Sequence, residues 1–342
     1  MDAARQCLRQ NRRNILLLPN VVGVGVGRKV VDGCETDEHV IVVFVEKKLP
    51  RKFLPRAVIV PKTIEDVKTD VVETGRFRLM DQFTTRERPA QPGMSIGHYR
   101  VTAGTFGAVV YDRKTGDPLI LSNNHVLANS TNGADGRSKL GDPILQPAPY
   151  DGGLKNKDAI GELERFIPMR YSAEPVTCPV ASGVELYLNV LLSAYYPQYT
   201  MRLLRKQDRA NIVDCAVAKP FESGSIKNDV LKIGPVRGIT EAKPGLAVRK
   251  CGRTSGITSG TVKYIDVTST VDIGEKREAV FEDQFATSPM SQGGDSGALI
   301  MDQSGRAVGL LFAGSDDYTM ANRIQNVLDA LNVRFNPKGG GY

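Results

Sequence analysis

The sequence predicts a mainly β protein preceded by a small α/β segment, and three observations predict it. From residue 107 onward, short β-branched and aromatic runs recur between turn residues, the texture of antiparallel sandwiches or barrels. Ahead of them, a helical stretch at 3–17 leads into valine-rich runs. Between the two textures, residues 86–97 (RERPAQPGMSIG) are rich in Pro and Gly and read as a linker.

Taken in order, residues 3–17 set Leu8, Ile15, Leu16 and Leu17 among arginines, a helical pattern. Residues 21–30 and 39–45 are β-branched strands separated by the turn Asp32-Gly33-Cys34, and 69–73 is a third strand after the Pro-bounded stretch 50–61. These form a small α/β domain of about 1–85, or 1–92 with its linker. The Gly-x-Gly-x-Gly string in VVGVGVG lacks the spacing and following helix of a dinucleotide fingerprint, so close packing or bulges account for it.

In the β-rich part, 107–111 and 119–122 form a hairpin around 112–117. Strands follow at 245–249, 260–267 and 279–285, and a last hairpin joins 298–301 to 307–312 around Gln303-Ser304-Gly305. Ile324, Val327, Leu328 and Leu331 recur at helical spacing, which predicts a C-terminal helix within 321–333, and residues 337–342 are expected to be a flexible tail. One stretch, 171–209, interrupts the pattern with an apolar, helical run at 184–195 and the basic end Arg202-Leu203-Leu204-Arg205-Lys206. The expectation is an insertion whose apolar face packs on the neighbouring barrel; a membrane-surface helix or a partner-docking element is the alternative.

Composition narrows the function classes. At 342 residues the chain can bury a full core in two or three domains. No stretch of 18 apolar residues occurs, so no membrane span is expected, and the N-terminus lacks a small-residue cleavage site. Five cysteines, an odd number without Cys-x-x-Cys spacing, argue against a disulfide framework and a zinc site and for a reducing, cytoplasmic location. The net charge of +7 is uneven. Residues 1–100 hold 18 Lys+Arg and 12 Asp+Glu, a balance of +6, leaving +1 for the remainder. A solvated basic face explains this better than a nucleic-acid site.

The chemistry concentrates in Gln292-Gly293-Gly294-Asp295-Ser296-Gly297-Ala298. A hydroxyl is a poor nucleophile until a base takes its proton and donors wait for the resulting oxyanion. Glycines on both sides let the backbone turn tightly enough to aim N–H groups at one point. The chain has only three histidines in which to seek the base. His39 falls in a strand-like run and His98 in the linker region, both read as structural or solvated. His125 falls in SNNHVLA, where a strand ends and the chain turns. Asp214 stands in the otherwise apolar NIVDCAVA, where a carboxylate is costly without a buried partner.

The order His125, Asp214, Ser296, with the hairpin after the serine, resembles the chymotrypsin-like (trypsin-fold) serine peptidases over about 93–336. That resemblance implies two antiparallel six-stranded β-barrels. The first spans about 98–225 with the insertion 171–209, and the second about 228–320. It implies Ser296 as nucleophile, His125 as general base and then acid, Asp214 as the acceptor orienting His125, and the N–H groups of Gly294 and Ser296 as the oxyanion hole. By the same pattern Met290 and Ser291 fall near the base of the primary specificity pocket, and Phe312, Ala313 and Gly314 where a substrate strand pairs. No acidic residue falls at the pocket base, which disfavours Arg or Lys before the cut and favours a small or apolar residue.

The implied activity is that of a serine endopeptidase acting on protein or peptide substrates, with no metal or organic cofactor. A silent peptidase-fold binding protein, or a protease recruited to nucleic acid through its basic N-terminal part, are the other readings. Three departures from secreted trypsins bring the chain closer to bacterial or intracellular relatives. Disulfides are not evident, the His–Asp interval is long, and the Ile-Val-Gly-Gly start, whose freed amine would pair with Asp295, is missing. The N-terminal domain is then a candidate site for a regulatory partner.

Overall fold

In the computed structural model the chain forms two compact units, residues 1–80 and 81–342. The structure describes residues 1–31, 34–50, 55, 59–75, 83–176, 178–206, 209–275 and 277–336. Two residues of the expected turn at 32–34, most of 50–61 and the tail 337–342 lie outside them.

The first unit packs α1 (Asp2–Leu16) on a four-stranded sheet of β1 (Val21–Val31), β2 (Cys34–Val45), β3 (Thr63–Ile64) and β4 (Val67–Glu73), in the order β1-β2-β4-β3. Cys7 and Ile15 of the helix meet Ile41, Val43 and Val45 of β2, so one helical stripe closes one face of the sheet. Leu16 and Leu17, which belong to the same helical pattern in the sequence, are exposed. β1 and β2 run antiparallel and β2 and β4 parallel. Register shifts at 21–23 and 28–30 bracket the glycine run. A Cβ on Gly27 would meet Val42 Cγ2 at 3.0 Å, which fits the close-packing reading of these glycines.

The second unit begins with β5 (Ser95–His98), β6 (Gly104–Thr105), β7 (Ala108–Asp112), β8 (Pro118–Ser122), the single turn α2 (Asn124–Leu127), β9 (Pro143–Leu145), the short α3 (Lys155–Asp158) and β10 (Ala159–Phe166). An excursion follows, made of β11 (Ala173–Pro175), α4 (Pro179–Tyr195) and β12 (Leu204–Lys206), before β13 (Ala216–Pro220). The rest is β14 (Ala247–Gly252), β15 (Gly256–Asp272), β16 (Glu278–Thr287), β17 (Leu299–Asp302), β18 (Ala307–Gly314), β19 (Thr319–Arg323), α5 (Ile324–Leu331) and β20 (Val333–Arg334).

β14–β19 close a six-stranded antiparallel barrel in the order β14-β15-β16-β19-β18-β17. Val248, Val262, Phe285, Ile300, Val308 and Leu311 belong to its interior cluster. The N-terminal half differs from the six strands expected. It is an eight-stranded sheet, β20-β7-β8-β13-β10-β9-β5-β6, to which the end of the chain contributes one short strand.

The Pro/Gly-rich stretch read as a linker is built into this unit. Ala90 N–H donates to Ser225 O (2.7 Å), Gly93 N–H donates to Phe106 O (2.7 Å), and Met94 and Ile96 are buried. The C-terminal helix starts at Ile324, later than expected, because 319–323 serve first as the closing strand of the barrel. Its Ile324, Val327, Leu328 and Leu331 are all buried. The expectation that the apolar face of 184–195 packs on a barrel is overturned, since no residue of α4 is buried. The helix leaves on its own β11–β12 stem, whose two strands pair only with each other.

Candidate active site

Strand register brings His125 and Asp214 together. β8 and β13 pair antiparallel with Ala216 opposite Ser122, so residues just past the end of β8 lie alongside those just before β13. There the chain turns into α2, fixed by two buried asparagines. Asn123 Nδ2–H donates to Asp214 O (2.7 Å), and Asn124 Nδ2–H donates to Thr131 O (3.1 Å) and Ile167 O (2.7 Å). His125 Nδ1 lies in hydrogen-bonding contact with Asp214 Oδ2, and His125 N–H donates to Asp214 Oδ1 (3.3 Å). Asp214 is buried, while the His125 ring is about a quarter exposed, so the pair leaves one edge of the imidazole open to the cleft. Asn322 of β19 holds the aspartate from the barrel side: its Oδ1 accepts Asp214 N–H (3.0 Å), and its Nδ2–H donates to Asp214 O (3.3 Å) and Leu310 O (3.1 Å).

Ser296 lies in the loop between β16 and β17. Gly294 and Gly297 flank it with φ of +98° and +92°, backbone that a side chain resists. A Cβ on Gly294 would stand 2.4 Å from Thr254 Oγ1. The N-terminal half of the unit pins this loop through Thr105, whose N–H donates to Ser296 O (2.7 Å) and whose Oγ1–H donates to Gly294 O (3.0 Å). Asp295 N–H closes a turn onto Gln292 O (3.0 Å). The Ser296 hydroxyl is turned to Phe312 O (3.4 Å). Ser296 and His125 border one cavity, with no hydrogen bond between the two side chains. Catalytic hydrogen bonds of this kind often tighten only when substrate arrives.

Beneath the loop, the Asp295 carboxylate is wholly buried and heavily bonded. Its Oδ2 accepts from Lys250 Nζ (2.9 Å) and Gln292 N–H (2.9 Å) and from the Ser255 hydroxyl, and its Oδ1 accepts N–H groups of Thr254 (2.8 Å) and Ser255 (3.1 Å). Burial pushes this carboxyl up, but the Lys250 charge and the hydrogen bonds from Ser255, Lys250 and Gln292 together hold it below the usual carboxylate range.

His125, Asp214, Ser296, Phe312, Ala313 and Gly314 line one cavity of about 1040 Å³, walled further out by the β15–β16 hairpin. Ser296 also borders a second recess of about 430 Å³ with Ser291, Gly293, Ala313, Gly314 and Asp316. Met290 does not border either. Its side chain is buried in the barrel cluster, and its N–H donates to Thr319 Oγ1 (3.0 Å). Thr319, fully buried, also bonds Ser291 Oγ (2.7 Å), and this pair of hydroxyls stands behind the recess.

His98 is away from this chemistry. It is buried, with Nε2 3.1 Å from Asp142 Oδ2 and Nδ1 accepting Arg100 N–H (3.2 Å); burial lowers its pKa despite Asp142. Thr105, Lys250, Ser255 and Asn322 were missed by sequence reasoning. Only Lys250 had a signal, the need of a buried Asp295 for a cation.

No family profile matches the sequence, and no curated protein does. Among solved structures, the chain is similar to Nocardiopsis protease (16% identity, 72% of this chain and 98% of that one, TM-score 0.45). It is likewise similar to a glutamic-acid-specific serine protease (18% identity, 72% and 99%, TM-score 0.44) and to Thermobifida fusca protease A (16%, 72% and 98%, TM-score 0.44). These structural neighbours are chymotrypsin-like serine proteases.

Proposed function

We propose that the chain is a serine endopeptidase that hydrolyses peptide bonds through an acyl-enzyme intermediate. The observation that carries the reading is the His125–Asp214 contact opening onto the cavity that Ser296 borders. A substrate strand pairs along Phe312-Ala313-Gly314 at the end of β18, with the side chain before the cut entering the recess beside Ser291. Ser296 Oγ attacks the scissile carbonyl as His125 Nε2 takes its proton. Asp214 accepts the Nδ1–H, fixing the tautomer and stabilising the imidazolium. The N–H groups of Gly294 and Ser296 receive the oxyanion. The C–N bond breaks as His125 returns the proton to the leaving amine. Water then repeats the sequence, and its attack releases the acid and restores Ser296.

The recess favours a short residue before the cut, because the Ser291–Thr319 hydroxyl pair stands behind it. The odd, unspaced cysteines support a cytoplasmic setting. The test is labelling with a fluorophosphonate probe of native protein, Ser296→Ala and His125→Ala. Labelling of the native chain alone is expected. A folded native protein that neither labels nor cleaves an unstructured protein such as casein would instead be a silent binding protein of the same fold.

A further inference from the structure

We propose that the α4 excursion is a membrane-docking element that seats this protein on an anionic lipid bilayer. The helix has no buried residue, although 11 of its 17 residues (179–195) are Ala, Val, Leu or Tyr. At 3.6 residues per turn, Val180, Val184, Tyr187, Leu191 and Tyr195 form one stripe, and Leu186 and Val190 widen it to about half the circumference. All seven are exposed, Leu186 at 67%, Val190 at 59% and Tyr195 at 78%. A helix on a globular surface ordinarily turns such a face to the core.

Here the arrangement is reversed, with the polar side turned inward. The returning chain crosses the opposite side of α4, where Glu185 Oε2 accepts Leu203 N–H (2.9 Å). Asn189 Nδ2–H donates to Met201 O (2.8 Å), and its Oδ1 accepts Met201 N–H (2.7 Å). Glu185 and Asn189 are thereby occupied within the excursion, and the apolar half is left facing out.

The C-terminal end of the helix points to the occupant. Tyr195, Tyr196 and Tyr199 gather at its C-terminal end, the Tyr196 and Tyr199 rings edge to face at 6.4 Å between centroids. Such rings suit the level between acyl chains and headgroups. Arg202, Arg205 and Lys206 follow, all exposed, and no acidic residue occurs from 186 to 206. A second copy docked in parallel on this face would bring these cations against their own counterparts, and one docked antiparallel would set them beside the positive N-terminal end of the other helix. An anionic bilayer supplies the opposite charge. Among the described residues no helix is long and apolar enough to cross a membrane. The helix therefore lies in the bilayer plane, its apolar half among the acyl chains and its basic end at the headgroups.

The test is flotation of the full-length Ser296→Ala chain with vesicles of phosphatidylcholine plus phosphatidylglycerol, against vesicles of phosphatidylcholine alone. Binding to the anionic vesicles is expected, with a loss in about 1 M salt, where the screening length is about 3 Å. Leu186→Asp with Val190→Asp should weaken binding at least ~10-fold by placing carboxylates among acyl chains. Arg202→Gln, Arg205→Gln and Lys206→Gln should each cost about fivefold. Both sets change exposed positions, and an unchanged thermal midpoint verifies folding. Absence of flotation with anionic vesicles overturns the proposal. So does a concentration-dependent dimer that Leu186→Asp with Val190→Asp dissociates while vesicle binding persists.

Discussion

Lys250 Nζ lies 2.9 Å from Asp295 Oδ2, and both side chains are wholly shut off from solvent. The carboxylate belongs to the residue before Ser296, so this ion pair anchors the backbone that presents the hydroxyl and the Gly294 N–H. Lys250 is an internal cation at the carboxylate for which the sequence offered no freed N-terminal amine. Lys250→Met should leave Asp295 charged and without its cation, at about 3–5 kcal/mol of stability. It should also slow fluorophosphonate labelling of Ser296. Adding Asp295→Asn should restore part of the thermal midpoint but not the labelling rate. Equal recovery of both would mean that the pair serves stability alone.

Asp214→Asn tests the other half of the site. The amide nearly matches the carboxylate in shape, so the hydrogen bonds of the Asp214 backbone to Asn322 and Asn123 should survive. It cannot fix the same His125 tautomer or stabilise an imidazolium, and substitutions of this kind lower kcat by about 10⁴. Peptide hydrolysis should fall by that order with an unchanged unfolding curve. A loss below about tenfold would remove Asp214 from the proposed chemistry.

The parts of the site that were legible in the sequence are those whose chemistry restricts residue type. Only three histidines compete for the base, an aspartate within NIVDCAVA demands a partner, and a serine among glycines advertises a tight turn. That Asp295 needs a cation was legible, but not that Lys250 supplies it. This lysine neighbours Arg249 in β14, and only pairing decides which of two adjacent cations turns inward, toward a carboxylate 45 residues away. For the same reason the parallel β2–β4 pairing and the addition of β20 beside β7 were missed, because both join segments that no local pattern links. The apolar run of α4 was visible as a helix, but periodicity reports a face without saying what covers it.

Gly314 allows a test of the specificity recess. A Cβ there would stand 2.8 Å from Ser291 Oγ, which is itself tied to Thr319. Gly314→Val should therefore narrow the entrance. Peptides with Leu or Phe before the cut should lose more kcat/KM than those with Ala, by at least about tenfold in the ratio. A uniform loss across all three would assign Gly314 to substrate-strand pairing and not to the recess.

Acid should destabilise the chain through its buried carboxylates. Asp112 is the clearest case. Burial alone would raise its pKa, but hydrogen bonds from Thr115 N–H, Arg165 and Lys114 N–H, with the Arg165 charge, bring it down to about 2. Asp302, bonded by Arg306, is likewise held below the ordinary value. A carboxyl with a lower pKa in the folded chain contributes stability at pH values above the unfolded value of about 3.9. As pH falls further, the unfolded chain takes up the proton first, and the contribution is gone once the folded value is passed. The urea midpoint should therefore hold down to about pH 4 as far as these two groups are concerned and decline toward pH 2. Asp112→Asn should lower the midpoint at neutral pH and flatten that acid limb. An unchanged limb would mean that the Arg165–Asp112 pair stores no pH-dependent stability.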